Sequence, residues 1–320
     1  MNPYTGKTLL GYFGLLFSRL GMLLEGKLAL SDLATDEVQI LVLIGLAIAS
    51  SCIGVFLVLK KMTMLANSLS HTILFGIVLA YLFIAPFSSH SEGDSYQLNF
   101  EVLFIGALLT GLITAVCTQL LTHFIKLQED ASIGLVFTTF FALGIVLVTL
   151  FTRNAHIGTE VVLGNIDALH FDDLKIMVGI TVLNVCVIGL FFKEFQITAF
   201  DPLMAASVGV FPSLFNYLLI VLTAGTAIAS FRAVGVLLFL AFLVGPVLTA
   251  RLFTDRLKPL IFLSIAIGVL SSVLGAGLAR HFLTVYHMPL STAGLVVCTM
   301  ATFYLLSLLF SIRYKRCQTL

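Results

Sequence analysis

The chain has 320 residues, 59% of them hydrophobic and 10% charged, with a formal net charge of +1. Soluble domains carry about 25% charged residues, and a core of this length cannot hide so much apolar surface, so the excess faces lipid. A near-neutral balance leaves no basic surface for nucleic acid, and five cysteines without a C-x-x-C pair indicate neither a disulfide framework nor a zinc cage.

Residues 1–37 form an N-terminal extension. Their one apolar run, 8–24, is interrupted by Arg19 and reads either as an extra span or as an interfacial helix. The segment lacks the basic start, clean apolar run and small-residue site of a cleavable signal. Nine continuous apolar stretches follow, at 38–59, 62–85, 101–122, 132–151, 173–192, 213–230, 233–250, 259–279 and 289–312. Each is near the roughly 20 residues that cross about 30 Å of hydrocarbon as a helix. None alternates with the period of two that a membrane strand requires. The expectation is an all-α, polytopic membrane protein with about 8–10 transmembrane helices, its domain at 38–312 and a cytoplasmic tail at 313–320.

Lys60 and Lys61 close the first stretch. If their side is cytoplasmic, alternation places ten lysines and arginines inside (Lys60, Lys61, Lys126, Lys193, Arg251, Arg256, Lys258, Arg313, Lys315 and Arg316) against four outside. The positive-inside rule selects that orientation, with the C-terminus in the cytoplasm.

The second stretch carries the deepest polar cluster, Asn67-Ser68-Leu69-Ser70-His71-Thr72. At about 1.5 Å per residue from Met62, His71 lies roughly 13–15 Å into the membrane, near its middle. Asn67 and His71 are four apart and share a helix face, with Ser70 beside them. Burying such groups in lipid is costly, so that face looks either at other helices or at a water-filled path. An imidazole nitrogen and an amide oxygen suit a divalent transition ion. All sixteen carboxylates lie outside the stretches or at their ends, which weighs against a proton- or sodium-coupled secondary carrier.

The loop 153–175 offers His156, Glu160, Asp167 and His170 as outer-mouth groups that attract cations, or as an ordinary solvated loop. Between the fifth and sixth stretches, about 195–212, Asp201 reads as an N-cap with Pro202 at the first helical position, and Gly209 reads as the stop. That describes either a short helix at the cytoplasmic face or an ordinary connecting loop. Enzyme motifs are absent: GMLLEGK at 21–27 fits the phosphate-loop frame, but Leu28 replaces its Ser/Thr and no strand precedes it.

Four stretches in this order resemble the metal-ion permease family of ABC importers, which serve zinc, manganese and iron. GVFLVLKKMTMLANSLSHTILFGIVLAYL (54–82) is similar to the family's G-x-F-x-V-x-R-R-M-x-x-x-x-D-A-L-S-H-A. ASIGLVFTTFFALGIVLV (131–148) is the second, FDPLMAASVGV (200–210) resembles F-D-P-x-x-A-x-x-x-G, and LVGPVLTARLF (243–253) resembles L-I-I-P-A-A-T-A-R. The resemblance covers 38–312. It implies a type II importer fold in a bacterial inner membrane, with ATP hydrolysis in a separate cytoplasmic ATPase dimer. A second permease, identical or not, and an external metal-binding protein complete the set. No cofactor is bound permanently; the metal is substrate. The coupling helix that docks on the ATPase would comprise Phe200, Asp201, Pro202, Ala205 and Gly209. The family's aspartate and histidine ligands would fall on Asn67 and His71, so the acidic one is an amide here.

Overall fold

The structure, a computed structural model, describes residues 3–4, 9–25, 33–64, 67–68, 71–72, 75–76, 78–79, 100–147, 149–150, 166 and 169–318. Among them no strand occurs. The helices are α1 (Leu9–Leu24), α2 (Thr35–Leu59), α3 (Phe100–Phe124), α4 (Glu129–Leu147), α5 (Phe171–Leu190), α6 (Phe192–Phe200), α7 (Pro202–Ser207), α8 (Pro212–Val234), α9 (Val236–Arg251), α10 (Leu257–Val285) and α11 (Thr292–Gln318). Between α2 and α3 the described residues of 63–79 are helical too.

All nine apolar stretches of the sequence overlap helices, the second and fourth through their described residues. Among the described residues, α2, α5, α8, α10 and α11 are long and apolar enough to cross a membrane. Shorter apolar segments lie in α3, α4 and α9. The chain is therefore an all-α, multi-pass membrane protein. α11 continues as helix through Gln318, past the boundary at 312 where the sequence places a tail.

α2 is apolar on every side, and such a helix belongs inside a bundle. It packs against α5, α8, α9 and α10, and 19 of its 25 residues are buried, which makes it the core rather than a lipid-facing wall. Small residues at 45–54 (GLAIASSCIG) let neighbouring backbones come close. Gly54 is the tightest contact of α2. A Cβ there would overlap the carbonyl oxygen of Leu243 on α9 and stand 3.1 Å from its carbon. Since backbone cannot rotate away as a side chain can, Gly54→Ala is expected to cost about 1–3 kcal/mol by overpacking. A thermal melt in detergent checks this, and an unchanged midpoint refutes the close-approach role. The opposite surface type is seen on α4, α5 and α11, where Leu135, Leu143, Val178, Val182, Leu305 and Phe310 are exposed and supply the lipid-facing coat.

The two ends of the bundle differ. At one, Asp36 and Glu37 occupy the first turn of α2, where the helix dipole favours carboxylates. Both are buried, and each meets a cation from another helix: Glu37 pairs with Arg19 of α1, and Asp36 lies 3.3 Å from Arg280 of α10. The Tyr4 hydroxyl donates to Glu37 at 2.6 Å. Tyr12 packs on Tyr4 at 5.0 Å between ring centroids, and Phe13 reaches Gly277 of α10. Because Tyr4 and Arg19 converge on one residue, α1 lies across this end of α2 and α10. At the other end, Lys60 closes α2 beside α6 and α8.

Candidate functional site

The helical residues of 63–79 are held between α3 and α4. Thr72 and Gly76, four positions apart, turn toward α3. There the Thr114 hydroxyl donates to Thr72 at 3.2 Å, and a Cβ on Gly76 would stand 2.8 Å from the Gly106 carbonyl. His71 and Phe75 form a second line along α4, and Asn67 lies four positions before His71. The His71 ring packs against Phe137 and Phe141, with centroids 5.3 and 5.6 Å away, and Phe75 stacks on Phe140 at 5.3 Å. Phe137 and Phe141 are one helical turn apart on α4 and grip the imidazole from one side. The ring remains partly exposed and Asn67 is exposed, so the face read from the sequence is not sealed among aliphatic side chains. Ser70 lies outside the described residues.

A partly open imidazole and a nearby amide offer two neutral donors to a cation. Among the described residues no three His, Cys, Asp or Glu side chains gather closely enough to hold a metal. Any ion resting at His71 therefore needs further ligands from elsewhere.

At the Lys60 end the chain folds into two consecutive short helices. Asp201 accepts the Met204 N–H at 2.9 Å, Pro202 starts α7, and Ala205 is fully buried beneath it. Gly209 closes the turn at φ +86°, a conformation costly for any residue with a Cβ, and the Val210 N–H then returns to the Ala205 carbonyl at 2.9 Å. Around this anchored turn Phe200, Leu203, Met204, Val208 and Phe211 are exposed, Leu203 by 85%. α6 is the element that sequence reasoning missed. Its charged Lys193 and Glu194 read as loop, yet Phe192, Phe195, Thr198 and Ala199 make an inward face, with Phe195 fully buried. Phe195 lies 5.3 Å from Phe56 of α2 and 5.2 Å from Phe215 of α8, between ring centroids.

Of the outer-mouth residues, His156, Glu160 and Asp167 lie outside the described residues. His170 is exposed at the start of α5, where its backbone N–H donates to Asp173 at 3.0 Å. Asp172 is engaged with Lys175 at 2.9 Å. Both aspartates thus have local partners at a helix start.

The sequence model of the ABC 3 transport family matches residues 37–311. The chain belongs to this family. The four motifs all fall within the match, and α1 lies ahead of it. One relative, a "Probable metal transport system membrane protein" of Chlamydia muridarum, is 38% identical over 305 residues, 95% of this chain and 93% of its own length. That coverage leaves too few residues over to exclude the whole segment before residue 37, so the likeness extends into the α1 region. "Manganese transport system membrane protein MntD" of Bacillus subtilis is 36% identical over 282 residues, 83% of this chain and 90% of its own. Among solved structures, "PsaBC from Streptococcus pneumoniae in complex with Fab" superposes with a TM-score of 0.69 at 29% identity, covering 84% of this chain and 89% of that one. As an ABC 3 protein the chain is a membrane permease and not an enzyme.

Proposed function

We propose that this chain is the membrane-spanning subunit of an ATP-driven importer that carries a divalent transition metal into the cytoplasm, with manganese the favoured ion. The observation that carries the reading is the His71 imidazole, gripped by Phe137 and Phe141 on one side and open on the other, about midway along an apolar span. The names of the relatives support the metal, since Bacillus subtilis MntD is a manganese transport system protein. In this reading His71 contributes an imidazole nitrogen, Asn67 its amide oxygen and Ser70 a hydroxyl. Three neutral groups bind a dication weakly, so a second permease, not identical to this one, supplies the charged half of the site. A secondary carrier is the weaker alternative, since every carboxylate lies outside the spans or at their ends and none at mid-span.

The Lys60 end is cytoplasmic by the positive-inside rule, and the α10–α11 link lies outside, where an external metal-binding protein delivers the ion. The anchored turn Asp201–Gly209, with Phe200, Leu203 and Val208 around it, docks on the ATPase dimer. ATP-driven movement there opens the helices around His71 to one side and then the other. His170, with His156, Glu160 and Asp167, belongs to the outer mouth and draws cations in.

Restoring charge tests the ligand assignment. Asn67→Asp is expected to lower the half-saturating manganese concentration about tenfold, equivalent to about 1.4 kcal/mol, and to slow release. Radioactive manganese uptake with competing zinc and iron measures both affinity and choice of ion. Unaltered affinity in Asn67→Asp removes Asn67 from the route.

A further inference from the structure

Lys60 is the last residue before the chain reverses out of α2. The Lys61 backbone at φ +59° and the Met62 N–H bonded to the Leu57 carbonyl at 2.8 Å close the turn tightly, so the helix carrying His71 begins at Thr63. The Lys60 side chain points away from this turn and across to the docking segment. Its ammonium donates to Asn216 Oδ1 at 2.6 Å and to Thr198 Oγ1 at 3.3 Å. Thr198 lies in α6, just before the Asp201–Gly209 turn, and Asn216 lies in α8, just after it. One ammonium therefore ties both flanks of that turn to the end of α2.

The tie is not a surface ion pair. Among the described residues no carboxylate lies within ion-pair distance of Lys60, and its partners are neutral oxygens. Thr198 is buried and Lys60 itself is only partly exposed. Burial pulls the Lys60 pKa down to about 8, so it remains charged at neutral pH. The C-terminal carbonyls of α2 offset part of that cost. A lysine whose only task was to mark a helix end would lie in solvent at less expense. Just inside it, the Phe56–Phe195–Phe215 cluster joins the same three helices, so the junction combines an apolar contact with a directed polar pin.

We propose that Lys60 is a positioning residue that transmits movement of the Asp201–Gly209 segment to α2 and to the helix bearing His71, coupling ATP turnover to metal movement. The inference rests on the reading of that segment as the ATPase dock. Lys60→Met keeps the stem and removes both hydrogen bonds. In proteoliposomes holding the whole transporter, manganese moved per ATP hydrolysed should fall at least about fivefold, with hydrolysis itself within about twofold of the parent. Asn216→Asp keeps an acceptor for the ammonium and should hold the ratio near the parent's. An unchanged ratio in Lys60→Met overturns the proposal. If Lys60→Met does not assemble, Asn216→Leu removes the shorter bond from the other side and carries the same expectation, and an unchanged ratio there overturns the proposal equally. Failure of the underlying docking reading looks different: ATPase binding would survive charge reversal at Asp201.

Discussion

His71→Ala is expected to abolish manganese uptake while the transporter still assembles. The two halves of that result have separate physical grounds. The imidazole is partly exposed and touches Phe137 and Phe141 on one side, so its removal leaves a shallow gap. Loss of stability of about 1–2 kcal/mol is the usual scale for such a change, too small to unfold the chain. For transport, the loss removes the one aromatic nitrogen donor at mid-span, and the remaining Asn67 oxygen is a neutral, single-point ligand. His71→Gln, which keeps a polar group of similar reach, should retain a measurable fraction of uptake. Size-exclusion profiles and radiometal uptake on the same preparations check both halves. Uptake within about twofold of the parent eliminates His71 from the route.

Asp201→Lys is expected to separate the chain from the proposed ATPase partner. The native carboxylate accepts the Met204 N–H and so fixes the first turn of α7, a contact whose loss costs about 1 kcal/mol. Lysine also places a positive charge at the positive end of a helix, adding to the loss. Because Asp201 is exposed, global stability should shift little, while the shape offered by Phe200, Leu203, Met204 and Val208 changes. Co-purification of the ATPase should fall about tenfold or more, and uptake with it. Asn caps helices as well as Asp does, so Asp201→Asn should behave nearly as the parent. Normal co-purification of the Asp201→Lys chain makes the segment an ordinary loop.

What the sequence made legible follows the range of the interactions. Each apolar stretch became a helix because backbone groups in lipid have no alternative partner, a rule that needs no knowledge of neighbours. The α7 turn was readable as one of two alternatives, since the Asp201 cap, Pro202 and Gly209 act within ten residues of one another. α6 was obscured because Lys193 and Glu194 sit beside Phe192 and Phe195, and only the packing on Phe56 and Phe215 shows which face decides.

Contacts distant in sequence left no signal. Asp36 and Glu37 stand at a helix end, as their charge suggests, yet they are buried because α1 brings Tyr4 and Arg19 over them. The Lys60–Asn216 bond spans 156 positions, and neither residue is unusual for its place. At His71 the depth and the shared face with Asn67 were readable from spacing, whereas the aromatic grip of Phe137 and Phe141 required the α4 packing.

The most direct test places a metal on that imidazole. Pulsed electron paramagnetic resonance of the assembled transporter, loaded with manganese and arrested by a non-hydrolysable nucleotide, reads nitrogen nuclei bonded to the ion. Imidazole nitrogen coupling is expected in the parent, and in His71→Ala either the coupling or the bound manganese itself should disappear. The same quantity of manganese in the membrane domain with unaltered nitrogen coupling after that substitution contradicts a metal route past His71.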